Sequence, residues 1–200
     1  MSDRQVQILE AACRVIARDG VHGLRMGDVA REAAVSHALV HYYFSTRQEL
    51  LIRAFEYADA RADLRLEQEA ALADGPLDRL RRMLSLELVD ESMLHESWVP
   101  WNEMWNAATR DASLRPAVWR TYARWTDTIE RLVRAAQSQG LWSSDADPAT
   151  AAIRLSSMVD GLGNKVLIGM MTPEQARSLL AGSIELERGA GVADESATAR

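Results

Sequence analysis

A single cysteine in 200 residues rules out an internal disulfide. Cys13 falls on a helical face with Leu9 and Ile16, where a thiol acts as a small hydrophobe. No apolar run approaches the ~20 residues that a membrane helix needs. The first residues also lack the basic and hydrophobic segments of a secretory signal. These absences predict a cytoplasmic protein with no membrane role. Convincing alternating strands, internal repeats, a glycine-rich phosphate loop and a nucleophile elbow are all missing as well. What remains is a chain with 48% hydrophobic residues, long enough for one large helical domain or a small domain joined to a larger one.

The net charge of −6 argues superficially against nucleic acid, but its distribution argues otherwise. Residues 1–53 carry seven arginines against six acids, a net of +1, and the remainder carries a net of −7. Only the N-terminal part suits phosphate, since an acidic body is repelled by it. A head this mildly basic predicts moderate affinity per subunit and a need for two heads acting together.

Residues 25–50, RMGDVAREAAVSHALVHYYFSTRQEL, carry the most information. Asp28, Val29, Ala30, Ala33 and Val35 place small and apolar side chains at helical spacing. Ser36 can cap a new helix, because its hydroxyl accepts an orphan N–H of the first turn. In the helix that follows, Leu39, Val40 and Phe44 can face inward, which leaves Ser36, His37, Ala38, His41 and Tyr42 outward. A helix-turn-helix needs this layout, because the second helix enters the major groove and its N-terminal residues meet base edges. A hairpin that merely packs is the plainer reading, but the exposed aromatic and basic run argues against it.

The stretch resembles the DNA-binding head of the TetR family of repressors, over roughly the first 55 residues. The family has an I-A step, a turn of type A-G-V-S, then L-Y-x-H/Y-F and x-S/D-K-x-x-L. Here these are Val29-Ala30, Ala33-Ala34-Val35-Ser36, Val40-His41-Tyr42-Tyr43-Phe44 and Ser45-Thr46-Arg47-Gln48-Glu49-Leu50. Ala34 stands in place of the turn glycine, so the backbone there must avoid a positive φ or accept strain. His41 replaces a tyrosine. Arg25 replaces a Thr or Ser N-cap, which loses about 1 kcal/mol of capping but adds a cation, and Arg47 keeps the charge of the family lysine. The resemblance implies base contacts from Ser36, His37 and Ala38 with His41 beside them, and phosphate contacts from Tyr42, Thr46, Arg47 and Arg25.

Helical signals continue to the end. The first helix is expected at about 4–19, stopped by Gly20 and Gly23, with the two helix-turn-helix helices at about 26–33 and 37–43. A long helix is expected at 46–73, then a break at Asp74-Gly75-Pro76 with proline opening the next helix. The Leu77, Leu80, Leu84, Leu88 stripe predicts that this helix reaches about residue 93. A Trp-rich helix at 96–109 follows, divided or begun by Pro100, and then a helix opened by Pro116 and stopped by Gly140. Asp147-Pro148 opens a helix with Leu155, Val159, Leu162, Val166 and Met170 in register, and Thr172-Pro173-Glu174-Gln175 is a capping box for the last helix, to about 187. The expected fold is all-α, a three-helix head plus a body of about six helices. This gives a DNA-binding domain at 1–47, an effector-binding and dimerisation domain at 48–187, and a disordered tail at 188–200. The family resemblance makes 148–187 a homodimerisation hairpin, and its small residues (Ala152, Ser156, Gly161, Gly163, Gly169) suit close helix approach.

All six tryptophans lie between residues 98 and 142. They fit a packed core, and they also fit an aromatic cavity, whose indole faces attract an ammonium group. Trp98, Trp101, Trp105, Trp119, Tyr122 and Trp125 are the candidate lining. Glu87 and Glu91, read as continuing the Leu80, Leu84 face, are candidate carboxylates at its edge; Glu103 and Asp160 are read as solvated or paired with arginine. The segment from Trp98 to Gly161 resembles the BetI-like branch of the family through R-D-A-S-L-R-P, Trp125, Gly140-Leu141 and D-G-L. That branch is associated with choline, and the expected effector is a small cationic or amphipathic molecule.

Other function classes find little support. His37 and His41, at i and i+4, have zinc-binding spacing, but Ala-Leu-Val between them lacks the glutamate of H-E-x-x-H. No catalytic residue, metal or cofactor is expected. A helical enzyme or an adaptor without DNA binding is the alternative.

Overall fold

Caps and breaks written into the sequence become nine α-helices and no strand among the described residues of a computed structural model. It describes residues 1–88 and 91–189, with side chains throughout except at residue 69 and residues 91–97. In chain order the helices are α1 (Asp3–Gly23), α2 (Met26–Glu32), α3 (His37–Tyr43), α4 (Arg47–Ala70), α5 (Pro76–Leu86), α6 (Glu91–Arg110), α7 (Arg115–Ser138), α8 (Pro148–Leu167) and α9 (Pro173–Arg188). The all-α expectation of three head helices and about six more therefore holds. The 190–200 part of the tail expected to be disordered lies outside the described residues, and Arg188 ends α9.

By packing, the chain forms two units, residues 1–64 with 95–121, and residues 65–94 with 122–200. The head expected at 1–47 lies wholly in the first unit. Its core joins Ile8, Leu9, Val15, Val29, Val40, Phe44 and Leu50 with Met104, Leu114 and Val118. Burying such side chains contributes about 1.5–3 kcal/mol each. In the second unit, α5 packs on α9 and α9 on α8, and Leu80, Leu84, Ile129, Leu155 and Leu180 are all buried.

Three helix ends share one chemistry. At α2, Val35 N–H donates to Ala30 O at 2.9 Å and Ala34 N–H to Arg31 O at 3.1 Å. At α7, Leu141 and Gly140 repeat the pair on Ala136 and Gln137, and after α8, Met170 and Gly169 repeat it on Lys165 and Val166. This pair of hydrogen bonds requires a left-handed residue at the first position past the cap. Gly140 and Gly169 provide it at φ 70° and 72°, but at α2 the residue is Ala34, held at φ 51°. The strain expected there is present.

Four expected boundaries shift. Helix α4 ends at Ala70 rather than 73. Helix α6 is continuous through Pro100; the ring removes one backbone donor without ending the helix. Helix α5 stops at Leu86 and α6 begins only at Glu91, so the leucine stripe does not mark one helix to 93. Leu88 keeps its burial from a turn instead, its N–H bonded to Ser85 O at 2.9 Å. Met170 leaves the α8 register, because the helix ends at Leu167 and the side chain is exposed.

Candidate nucleic-acid interface and effector site

Helix α3 separates its two faces as the sequence predicts. Val40 and Phe44 are buried, Leu39 is half-buried, and Ser36, His37, Ala38, His41 and Tyr42 are exposed. Tyr42 is 79% exposed. The His37 and His41 rings pack edge to face with centroids 4.5 Å apart, and Tyr42 meets Tyr43 at 5.1 Å in the same manner. Ser36 Oγ accepts the Leu39 N–H at 3.1 Å, so this exposed residue caps its own helix. Thr46 does the same for α4, accepting from Glu49 N–H at 3.0 Å. Arg25 caps α2 by backbone position alone, with no side-chain hydrogen bond, which leaves its guanidinium on the exposed side.

The scaffold behind this face is tied by polar contacts. Glu32 of α2 accepts from Arg14 at 2.8 Å and from Arg18 at 3.2 Å of α1, and these guanidinium hydrogen bonds hold its carboxyl below the usual carboxylate range. Gln7 Nε2 donates to Ala33 O at 2.8 Å. Arg47 joins this scaffold. Its Nε donates to Leu24 O at 2.7 Å and one terminal nitrogen donates to Val21 O. A guanidinium offers five donors in a fixed fork, so two carbonyls leave donors for a phosphate. The family lysine that Arg47 replaces, a single point on a flexible stem, lacks this fixed fork.

The residues expected to bind effector do not form one group. Trp98 is buried, Trp101 half-buried and Trp105 46% exposed; Trp101 meets Phe55 edge-on at 5.0 Å and Trp105 at 6.2 Å. These belong to the first unit, and Trp119, also in it, is 65% exposed. Trp119 sits beside the buried Ala117 and Val118 but on the solvent side of α7, so it is no part of an enclosed box. Glu87, Tyr122 and Trp125 lie in the second unit, all three half-buried. Glu87 occupies the C-cap of α5, so it does not continue one helical face with Glu91, whose side chain lies outside the described residues.

The second unit contains a polar group that sequence reasoning passed over. Tyr122 Oη and Ser156 Oγ are 2.9 Å apart, with Ser156 fully buried. Asp160, one turn further along α8, is half-buried. Burial pushes its carboxyl up to about 6, and the Tyr122 hydroxyl, which favours the ionised form, pulls the other way. Ser156 Oγ also lies 3.0 Å from Ile153 O. The hydroxyls can therefore point toward Asp160 when it is charged and toward Ile153 O when it is neutral. The available signal was D-G-L one residue off the Val159 stripe, which sequence alone reads as solvated or paired with arginine.

Cys13 meets its expectation as an apolar wall residue. Its Sγ donates to Ala54 O at 3.5 Å, and burial pushes the thiol up to about 11, which suppresses the reactive thiolate. No helix among the described residues is long and apolar enough to cross a membrane.

Comparison with known proteins agrees with this geometry. Residues 8–54 match the model of the tetR family of bacterial regulatory proteins, and residues 76–188 match that of the BetI-type transcriptional repressor C-terminal domain. An HTH-type transcriptional regulator BetI of Agrobacterium fabrum is 32% identical over 114 residues, 56% of this chain and 54% of that protein. The matched stretch thus spans about half of that relative. The structure of a TetR-family regulator from Rhodococcus sp. superposes with TM-score 0.84 at 36% identity, covering 94% of this chain and 100% of that one. A transcriptional regulator of Saccharomonospora viridis in complex with choline gives 0.81 at 33% identity, over 92% and 97%.

Proposed function

Because the chain belongs to the TetR family of transcriptional regulators, we propose that it is a homodimeric repressor, released from a palindromic operator by a small cationic effector. The observation that carries DNA binding is the α3 face, five exposed side chains set on buried Val40 and Phe44. Residues 1–47 are the DNA-binding domain and 48–187 bind effector and dimerise. Ser36, His37 and Ala38, with His41, read bases. Tyr42, Thr46, Arg25 and the remaining donors of Arg47 hold phosphates. A two-fold operator needs two heads about 34–36 Å apart. Pairing through α8 and α9 is supported by their exposed apolar side chains, Ile153, Met158, Leu179 and Leu186. The protein works by binding rather than catalysis, in the cytoplasm.

The effector reading rests on the second unit, where a half-buried carboxylate and the Tyr122 and Trp125 rings suit an ammonium ion. It is supported by the choline held in the Saccharomonospora viridis relative. Differential affinity of the effector for the two forms of the dimer supplies the release.

Footprinting on the DNA that flanks its own gene tests the first part; a protected palindrome is expected, and an adaptor or enzyme gives none. Titration with choline, spermidine and an uncharged hydrophobe, followed by tryptophan fluorescence and operator release, tests the second. A response to the neutral compound alone overturns the cationic reading.

A further inference from the structure

Helix α1 is broken near its end. Gly20 takes φ 72°, ψ 170°, and the chain leaves the helix through Val21 toward α2. A break of this kind leaves the next N–H without a helical acceptor. Glu103 of α6 supplies one, its Oε2 accepting the Val21 N–H at 3.1 Å. The carboxylate also lies against the break itself, since a Cβ on Gly20 would stand 3.1 Å from the same oxygen. On the other side Arg47 of α4 donates to Val21 O and Leu24 O. The elbow between α1 and α2 is thus held through both polar groups of Val21, the N–H by α6 and the carbonyl by α4.

Val21 and Leu24 are buried in the same core as Phe55 and Met104, so the bond from Glu103 is the polar part of a packed elbow. Val21 lines a small apolar recess together with Phe55 and Met104. A buried N–H left without an acceptor carries its full desolvation penalty, so what matters at Val21 is that an acceptor oxygen reaches its N–H.

We propose that Glu103 is a positioning residue for DNA binding, acting by the reach of its carboxylate to Val21 N–H rather than by its charge. It couples α6 to the entry of the helix-turn-helix. The proposal rests on the operator-binding reading above.

Two substitutions separate reach from charge. Glu103→Gln keeps an acceptor oxygen at the same distance and removes the charge, whereas Glu103→Asp keeps the charge and draws the oxygens back by one methylene. Operator affinity of the full chain is measured on the footprinted fragment, beside amide exchange at Val21 and the thermal midpoint. The expected result is Glu103→Gln close to wild type, and Glu103→Asp weaker by about tenfold, with faster Val21 exchange and an unchanged affinity for random-sequence DNA. Glu103→Asp binding the operator like wild type overturns the proposal, as does Glu103→Gln falling as far as Glu103→Asp. A wild-type chain that protects no DNA defeats the operator-binding reading instead, and Val21 exchange still reports on the bond.

Discussion

The α3 face and the Tyr122–Ser156–Asp160 group handle polarity in opposite ways. On α3 the polar and aromatic side chains stand in water, and the buried side of the same helix is apolar: Val40 and Phe44 inside, His37, His41 and Tyr42 outside. In the second unit the polar atoms are inside. Ser156 is fully buried, and Asp160 is half-buried with its carboxyl raised to about 6. A recognition surface for phosphate and bases must be open and keep its donors hydrated until contact. A site for a small cation gains from desolvation, because charge interactions strengthen as water is excluded. The sharpest way to break this contrast lies within α3. Phe44→Ala removes a buried ring and should lower stability by about 3–5 kcal/mol, abolishing operator binding through loss of the head. Tyr42→Ala, two residues earlier, should leave the thermal midpoint within about 0.5 kcal/mol of wild type yet weaken operator binding. Equal stability losses for the two would mean that the helix has no functional face.

Asp160 tests the other side of the contrast. Its carboxyl is raised from 3.8 to about 6, so the folded state holds the proton more tightly than the unfolded state. The associated stability is fully present below about pH 4 and is lost as pH rises through about 6. Roughly two units correspond to at most about 3 kcal/mol. Asp160→Asn should therefore match wild type near pH 4 and be more stable above pH 7, measured by denaturant melts across pH. A bound ammonium reverses the sense: it needs the carboxylate, so effector affinity should rise as pH passes through about 6, and Asp160→Asn should flatten that rise. A cation whose affinity for wild type is unchanged between pH 5 and 8 would remove Asp160 from the site.

Arg47 blurs the contrast, since an exposed residue of the head also holds buried backbone. If it serves only phosphate, Arg47→Lys keeps both the thermal midpoint and the salt dependence of DNA binding. With the fork lost from Val21 O and Leu24 O, the expected result is a lower midpoint, by about 1–2 kcal/mol, with the salt slope retained. Arg47→Ala should lose both, the slope falling by about one.

The parts of this molecule legible in the sequence are those fixed within a few residues. Ser36 with Leu39 three positions on, Thr172 with Gln175, and Val40 with Phe44 each announce a cap or a face by spacing alone, and each is where it was expected. The less legible parts depend on what arrives from far along the chain. Leu88 keeps the leucine spacing although α5 has ended, because a turn can bury the same side chain that a helix would. Glu103 sits between tryptophans and reads as solvated or paired with arginine, until the broken turn of α1, 82 residues away in sequence, gives it a backbone donor. Asp160 reads as solvated or paired with arginine, and only the fold shows it half-buried beside the Tyr122 hydroxyl of α7.

Ala34 carries the smallest effect and the most exact comparison, because two other helix ends repeat its hydrogen bonds with glycine. Holding an L-residue in the left-handed region costs roughly 1–2 kcal/mol, and Ala34 is held there at φ 51° by the bonds from Val35 to Ala30 and from Ala34 to Arg31. Ala34→Gly removes that cost, but glycine loses more freedom on folding, by about 0.5–1 kcal/mol. The net expectation is a gain of about 0.5–1 kcal/mol in head stability, read as a small rise in thermal midpoint, with the α3 contacts unchanged. The reciprocal changes, Gly140→Ala and Gly169→Ala, should each lose a similar amount, since a Cβ at either meets no atom within 4 Å and only the φ resists it. If Ala34→Gly destabilises while these two also destabilise, the turn before α3 uses the alanine methyl for contact, and its positive φ is not the limiting strain.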